Sequence, residues 1–294
     1  MLRFLGTVTT LMLSTTLALA QAPAASPAIG ESAESGAPLV EFELMTWPEV
    51  KQALADGKTT ALFYTGGTEQ RGPQNVNGGH NLMAKATVKA IALKLGNAIA
   101  MPVLPYTPNN ASARLPGTIG LTNDILAVIL ERISEQAIVT GFKNVILMGD
   151  HGGGQPNVYR TVAKKLDDKY ASQGIHVHFC DEVYEKSRLD FDSWLAANGY
   201  PYSTHGGIPD TSTMLYLGGD TWVRKDLIAT ALGDPAVRRG QPRPDPNAPR
   251  INNGILGDGR RSSVELGKMV FDMKVDYAAK QIRQFLAEAT KLPQ

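Results

Sequence analysis

The chain has 294 residues, 43% hydrophobic and 19% charged, and its 29 Lys and Arg against 28 Asp and Glu leave a net charge of +1. That near balance excludes an electrostatic case for nucleic acid or an anionic membrane surface as partner, since both need a surplus of basic side chains. The single cysteine, Cys180, excludes an internal disulfide.

The opening stretch, MLRFLGTVTTLMLSTTLALAQA, places Arg3 before an apolar run and Ala18-Leu19-Ala20 before Gln21. A charged start, a hydrophobic middle and a small-x-small site make a secretory signal. Residues 1–20 are therefore expected to be a signal peptide, with a retained anchor as the rival reading. Export across the inner membrane to a bacterial periplasm follows. After cleavage no membrane association is expected. Residues 21–38, rich in Ala, Pro, Ser and Gly, read as a disordered linker. The remainder, 39–294, has the length of one large α/β domain or two small ones.

TTALFYTGG (59–67) predicts a strand running into a loop, and NLMAKATVKAIALKLG (81–96) a helix closed by Gly96. A strand follows at 98–106 and a helix at 122–141, capped by Thr122 or Asn123 and ended by Gly141. KNVILMGD (143–150) is continuously apolar, like a strand buried on both faces. A helix at 156–170 opens on Pro156, and GIHVHFCD (174–181) is a further strand. Such alternation implies an α/β fold with a mainly parallel sheet covered by helices. Functional groups then gather on loops at the carboxyl ends of strands, which lets the glycine-rich loops at 66–80 and 149–154 meet. The Pro- and Arg-rich segment 233–254 reads as a lid, a subunit-contact arm or a solvated insertion. A helix from about 262 to 289 closes the chain.

The chain has five histidines, and three lie in glycine-rich loops near carboxylates: His80 after Glu69, His151 after Asp150, and His205 before Asp210. Carboxylates and imidazoles suit zinc or manganese, and glycines let the backbone approach a ligand. Each histidine alone reads more readily as a capped or hydrogen-bonded loop residue; the three together point to a site. His176, His178 and Cys180 share one face of their strand, where packing is favoured over metal binding. No histidine–acid arrangement surrounds Cys180 to make it a nucleophile.

These motifs resemble the creatininase (creatinine amidohydrolase) family. Its first signature, Gly-Ser-x-Glu-Gln-His-Gly-Pro-His with an Asp nine residues after the first His, corresponds to GGTEQRGPQNVNGGH; its Pro-Gly-Thr to RLPGTIGL (114–121). Asn-Gly-His-Gly-Gly-Asn after a buried strand corresponds to NVILMGDHGGGQ, and His-Ala-Gly-x-x-Glu-Thr-Ser to HGGIPDTSTML. A closing Gly-Asp…Ala-x-x-Gly element is similar to GILGDGRRSSVELGK. The resemblance implies that 39–294 form a creatininase-like domain, a three-layer αβα sandwich, and a homo-oligomer, hexameric by family analogy. It makes Glu69 and His151 metal ligands and His205 a proton-transfer group. The family's first His is replaced by Arg71, its bridging Asp by His80, and its last Glu by Asp210.

His80 cannot bridge two cations as a carboxylate does, and Arg71 cannot ligate a metal. One metal, Zn2+ or Mn2+, is therefore expected per subunit, on Glu69, His80 and His151, with Asp210 as a further candidate and Arg71 standing in for the second ion. The implied activity is hydrolysis of a small-molecule C–N amide bond, often cyclic, by metal-bound hydroxide, with His205 or Asp210 moving the proton and Arg71 binding a substrate carboxylate or oxyanion. Asp150 is read either as an orienting acceptor or as a turn cap. Thr118, Trp194, Tyr200 and Tyr202 are lesser candidates for the pocket. Creatinine itself is a poor substrate candidate, because the ligand set departs from that activity. The principal alternative is a non-catalytic binding protein that has lost the metal. A binuclear phosphoesterase lacks its Asp-x-His and Gly-Asn-His motifs here, and a Ser-His-Asp hydrolase lacks a nucleophile elbow.

Overall fold

TALFYT and NVILMG become the two central strands because β-branched and aromatic side chains there find cover on both faces of a sheet. The computed structural model describes residues 38–290 except 153, 239, 243, 244, 246 and 248. The expected signal peptide and all but the last residue of the linker lie outside the described residues. Pro38–Gln294 form one compact unit. No helix among the described residues is long and apolar enough to cross a membrane.

Four parallel strands, β1 (Thr60–Thr65), β2 (Ala98–Ala100), β3 (Asn144–Gly149) and β4 (His176–Phe179), run in the order β2-β1-β3-β4. The helices are α1 (Trp47–Ala55), α2 (Gly79–Leu95), α3 (Asn123–Thr140), α4 (Gln155–Tyr170), α5 (Glu185–Ala197), α6 (Ile208–Trp222) and α7 (Val264–Ala289). Side-chain alternation divides the core. Ala61, Phe63, Val145 and Leu147 pack with Leu126 and Leu130 of α3 and Val158 and Val162 of α4. Leu62, Tyr64, Ile146 and Met148 pack with Val88 and Ile91 of α2 and Val275, Ala278 and Ile282 of α7. The result is the expected α/β fold with helices on both faces. Thr60 pairs with Asn144 and Thr65 with Gly149, so the carboxyl ends of β1 and β3 are level and the glycine-rich loops emerge side by side.

Differences from the sequence reading have local causes. The strand expected at 98–106 is regular only over Ala98–Ala100, because Pro102 and Pro105 have no N–H for the ladder; Leu104 still donates to the Tyr64 carbonyl (3.2 Å). α2 begins at Gly79, which moves His80 from the loop into the first helical turn. Three helices not anticipated, α1, α5 and α6, complete the unit. α1 carries a capping box between Thr46 and Glu49 with Pro48 in its first turn. α6 breaks at Gly219 (φ 50°, ψ −134°), a conformation suited to glycine. Part of the 233–254 segment is docked: Arg238 donates to Asp192 of α5 (3.0 and 3.2 Å) and lies over the Tyr202 ring.

Candidate metal centre

The loop from β1 to α2 carries Glu69 and Arg71, and the first turn of α2 presents His80. β3 ends directly into Asp150 and His151, and the loop leading into α6 supplies His205, with Asp210 in that helix's first turn. The β1–α2 loop is anchored to α6 through Asn75, whose Nδ2 donates to the Arg71 carbonyl (3.0 Å) and to Thr211 Oγ1 (2.9 Å). Gly67 lets the loop pass close to Thr107: a Cβ there would stand 2.9 Å from Thr107 Cγ2, while the His80 and His151 rings would remain at ordinary contact distance.

Glu69, only 1% exposed, is the hub. Its Oε1 lies 2.9 Å from His80 Nε2 and 3.5 Å from His205 Nδ1; its Oε2 lies 2.9 Å from His151 Nε2 and accepts from Ser112 Oγ (2.7 Å). Behind His80, Asp150 Oδ1 accepts the Nδ1 proton (3.1 Å), and Asp150 Oδ2 accepts from Lys274 Nζ of α7 (2.6 Å). This chain orients the His80 ring and directs its Nε2 at Glu69. His205 Nε2 donates to the Gln70 carbonyl (2.7 Å), so in the neutral ring Nδ1 is the free acceptor.

Burial alone would raise the Glu69 carboxyl, but bonds from His151 and His80 and the charge of Arg71 hold it well below the usual carboxylate range. Asp150 behaves likewise, with Lys274 and His80 outweighing burial. His80 moves upward, since Asp150 and Glu69 overcome burial and the Arg71 charge. His205 moves downward through burial and the same guanidinium. Burial pushes Tyr184, on the cavity wall, up to about 12.

Arg71 is as buried as Glu69. Its Nη2 pairs with Asp210 Oδ2, and its Nη1 stands 3.7 Å from Glu69 Oε1. Asp210 Oδ2 also accepts the Gly206 N–H (2.7 Å). Among the described residues, one ligand atom each from Glu69, His80 and His151 lies within 4.8 Å of the others. Asp210 is not in that group: its carboxylate faces Arg71. The group fits a single ion. Ligand atoms about 2.0–2.2 Å from a tetrahedral zinc stand roughly 3.3 Å apart, close to the separations around Glu69. Glu69 Oε1 is moreover buried without a hydrogen bond of good geometry. A second ion in the place of the guanidinium does not fit, because Arg71 offers charge and no lone pair.

The centre opens on a cavity of about 230 Å³ walled by Met83, Tyr184, Phe191, Tyr202 and Val270. Of the lesser candidates, Tyr202 lines it. Trp194 instead packs between Phe191 and Tyr200. Thr118 Oγ1 accepts from Gln70 N (3.2 Å) and donates to the Ser112 carbonyl (3.0 Å), a brace one residue removed from Glu69. Cys180 is fully buried, and burial pushes its thiol upward. His176 and His178 lie away from this centre; burial pushes His178 downward. Ser112 and Lys274 were not anticipated. Ser112 stands four residues before Pro116-Gly117-Thr118, the nearest signal; Lys274 gives none, being one of several charges along a helix.

A creatinine amidohydrolase family model matches residues 43–282. The chain belongs to the creatininase family. Solved structures agree in fold. A Zn-Zn form of a creatininase point mutant is 23% identical at a TM-score of 0.66, with 84% of this chain and 98% of that one covered. A creatinine amidohydrolase is 22% identical at 0.63, covering 84% and 97%. A putative creatinine amidohydrolase from Bacteroides fragilis is 17% identical at 0.64, covering 86% and 97%. No curated protein matches the chain.

Proposed function

We propose that this protein is a metal-dependent hydrolase of a small-molecule C–N amide bond, cyclic amides being the first class to test, working with one zinc or manganese ion per subunit on Glu69, His80 and His151. The observation that carries this reading is the buried Glu69 carboxylate between two imidazoles, one of them braced by Asp150 and Lys274, in the lining of a half-open cavity. Family membership supports amidohydrolase chemistry, and related structures are named as Zn-Zn and Mn forms and as a complex with creatine. The cavity volume, below the roughly 300–1,000 Å³ of drug-sized pockets, favours a small substrate.

Such an ion supplies Lewis acidity toward the amide carbonyl and acidifies water at neutral pH. The rest falls to the protein. His205, neutral and with Nδ1 open, takes a proton and returns it to the leaving nitrogen. Arg71 lines the cavity, and its Nε and Nη1 are buried without hydrogen-bond partners; its guanidinium binds a substrate carboxylate or the developing oxyanion. Asp210 keeps Arg71 in place rather than binding the ion. The apolar wall of Met83, Phe191 and Val270 limits bulk water.

Metal content of tag-free protein tests this directly: about one ion per chain at the centre, lost in Glu69→Gln, with hydrolysis in a cyclic-amide screen. Two ions depending on Glu69 would refute the role given to Arg71. A chain that binds amides but neither metal nor water-dependent turnover would be the binding protein, the reading favoured by the Arg71–Asp210 pair alone. Export and assembly into a homo-oligomer belong to the same proposal. N-terminal sequencing should find Gln21 first, and light scattering should give a mass several times the chain's.

A further inference from the structure

Among the described residues, β4 is an edge strand of the sheet. Alternation sends His176 and His178 to the same face of it, and their rings stack 5.9 Å apart and 13° from parallel. Asp167 of α4 reaches across to them. Its Oδ1 stands 3.1 Å from His176 Nδ1 and accepts the Val177 N–H at 3.0 Å. One ligand atom from each of Asp167, His176 and His178 lies within 4.8 Å of the other two.

Two observations go beyond an ordinary His–Asp pair. His178 Nε2 is buried with no hydrogen-bond partner, although its ring lies flat on Phe285 at 4.7 Å. A separate shallow surface depression, lined by Asp167, His178 and Phe285, lies at this edge, and none of these residues lines the Glu69 cavity. Packing accounts for the ring of His178; it does not account for its unpaired nitrogen.

Two imidazoles and one carboxylate select a borderline cation over calcium or magnesium, which take oxygen donors throughout. Tetrahedral zinc needs ligand atoms about 3.3 Å apart. The group must therefore close by at most about 1.5 Å, a displacement within the reach of rotation about χ1 and χ2. The Val177 N–H on Asp167 orients the carboxylate, as hydrogen bonds to metal-binding carboxylates commonly do.

We propose that Asp167, His176 and His178 form a second, edge-strand site for a borderline divalent cation, best matched by zinc, which clips β4 to α4 independently of the Glu69 centre.

The experiment is a titration of tag-free, chelator-stripped, full-length protein with Zn2+ alone. It compares wild type, His178→Phe, Glu69→Gln/His80→Ala, and all three changes combined. His178→Phe removes the ligand nitrogen and keeps an aromatic ring on Phe285; if it fails to fold, His178→Gln gives the same comparison. The expected result is one zinc equivalent lost in His178→Phe and one retained in Glu69→Gln/His80→Ala. Zinc should also raise the Tm of Glu69→Gln/His80→Ala but not that of the combined variant. Equal zinc uptake by wild type and His178→Phe would overturn the proposal, as would no uptake by Glu69→Gln/His80→Ala. A failure of the Glu69 centre shows separately, as unchanged stoichiometry when Glu69 and His80 are replaced.

Discussion

Replacing Lys274 with Met separates the support of the centre from its ligands. The Lys274 side chain is 11% exposed and that of Asp150 3%, at a separation of 2.6 Å, so the variant strands a carboxylate that has lost its cation. Breaking one partner out of a buried pair costs about 3–5 kcal/mol. His80 still contacts Asp150 Oδ1, which places the expected loss toward the lower end, about 3 kcal/mol. The same change loosens the orienting partner of the imidazole proposed to hold the metal, an effect worth about 10–100-fold in metal affinity. Urea unfolding in chelator measures the first quantity and competition for zinc against a fluorescent chelator the second. Asp150→Asn completes a double-mutant cycle, in which the double variant should cost less than the sum of the singles by about 0.5–3 kcal/mol. A Lys274→Met protein within about 0.5 kcal/mol of wild type, a shift typical of surface substitutions, and with unchanged zinc affinity would refute the reasoning.

Arg71→Met should destabilise the protein by up to about 3 kcal/mol, because it leaves the half-buried Asp210 and the buried Glu69 without their cation; Arg71→Lys should not restore stability, a point charge being a poor copy of the planar fork. Urea midpoints of the two variants check this. Cys180, buried with its thiol pushed upward, should resist a thiol-specific reagent in the native protein and react only as fast as the protein unfolds. Reaction at the rate of a free thiol would contradict its burial. Glu69, Asp150 and Asp210 all ionise more readily in the folded chain than in an unfolded one. On acidification the unfolded state therefore takes up protons first. The stability these groups provide is full above about pH 5 and is lost progressively below about pH 4, where unfolded carboxyls titrate. Urea midpoints of chelator-treated protein should fall across that window, and a flat profile would count against the buried charge network. His80, shifted upward, acts the other way at higher pH and does not enter this window.

The sheet was legible because its strands advertise themselves: TALFYT and NVILMG admit no amphipathic helix, and the segments between them carry helical spacing with Gly96 and Gly141 as stops. The level ends of β1 and β3 then bring Glu69, His80 and His151 together, as the paired glycine-rich loops implied. α1 went unread although Thr46 and Glu49 spell its cap. α6 was hidden because the segment HGGIPDTS read as a loop motif, while Pro209 in fact sits in the first helical turn. Metal-site chemistry was visible in residue types; its bracing was not. Whether Asp150 faces His80 or His151, and whether Asp210 meets the ligand group or Arg71, depends on side-chain directions that spacing does not encode. Lys274 lies 124 residues from its partner, so no local pattern pairs them.

α7 has a consequence for how the chain is made. All four described strands have been made by Phe179, yet the face formed by Leu62, Tyr64, Ile146 and Met148 is covered only in part, by α2, until Val275, Ala278 and Ile282 emerge nearly a hundred residues later. Contacts of such long sequence separation form slowly, and exposed apolar sheet surface invites aggregation meanwhile. A chain stopped before Ser263 is expected to collect in the insoluble fraction, and a separate peptide covering Val264–Ala289, added during refolding, to return part of it to solution. Synthesis of this protein is thus a race between the last helix and self-association, in which Lys274, the brace of Asp150 at the candidate metal centre, arrives on the same segment that ends the danger.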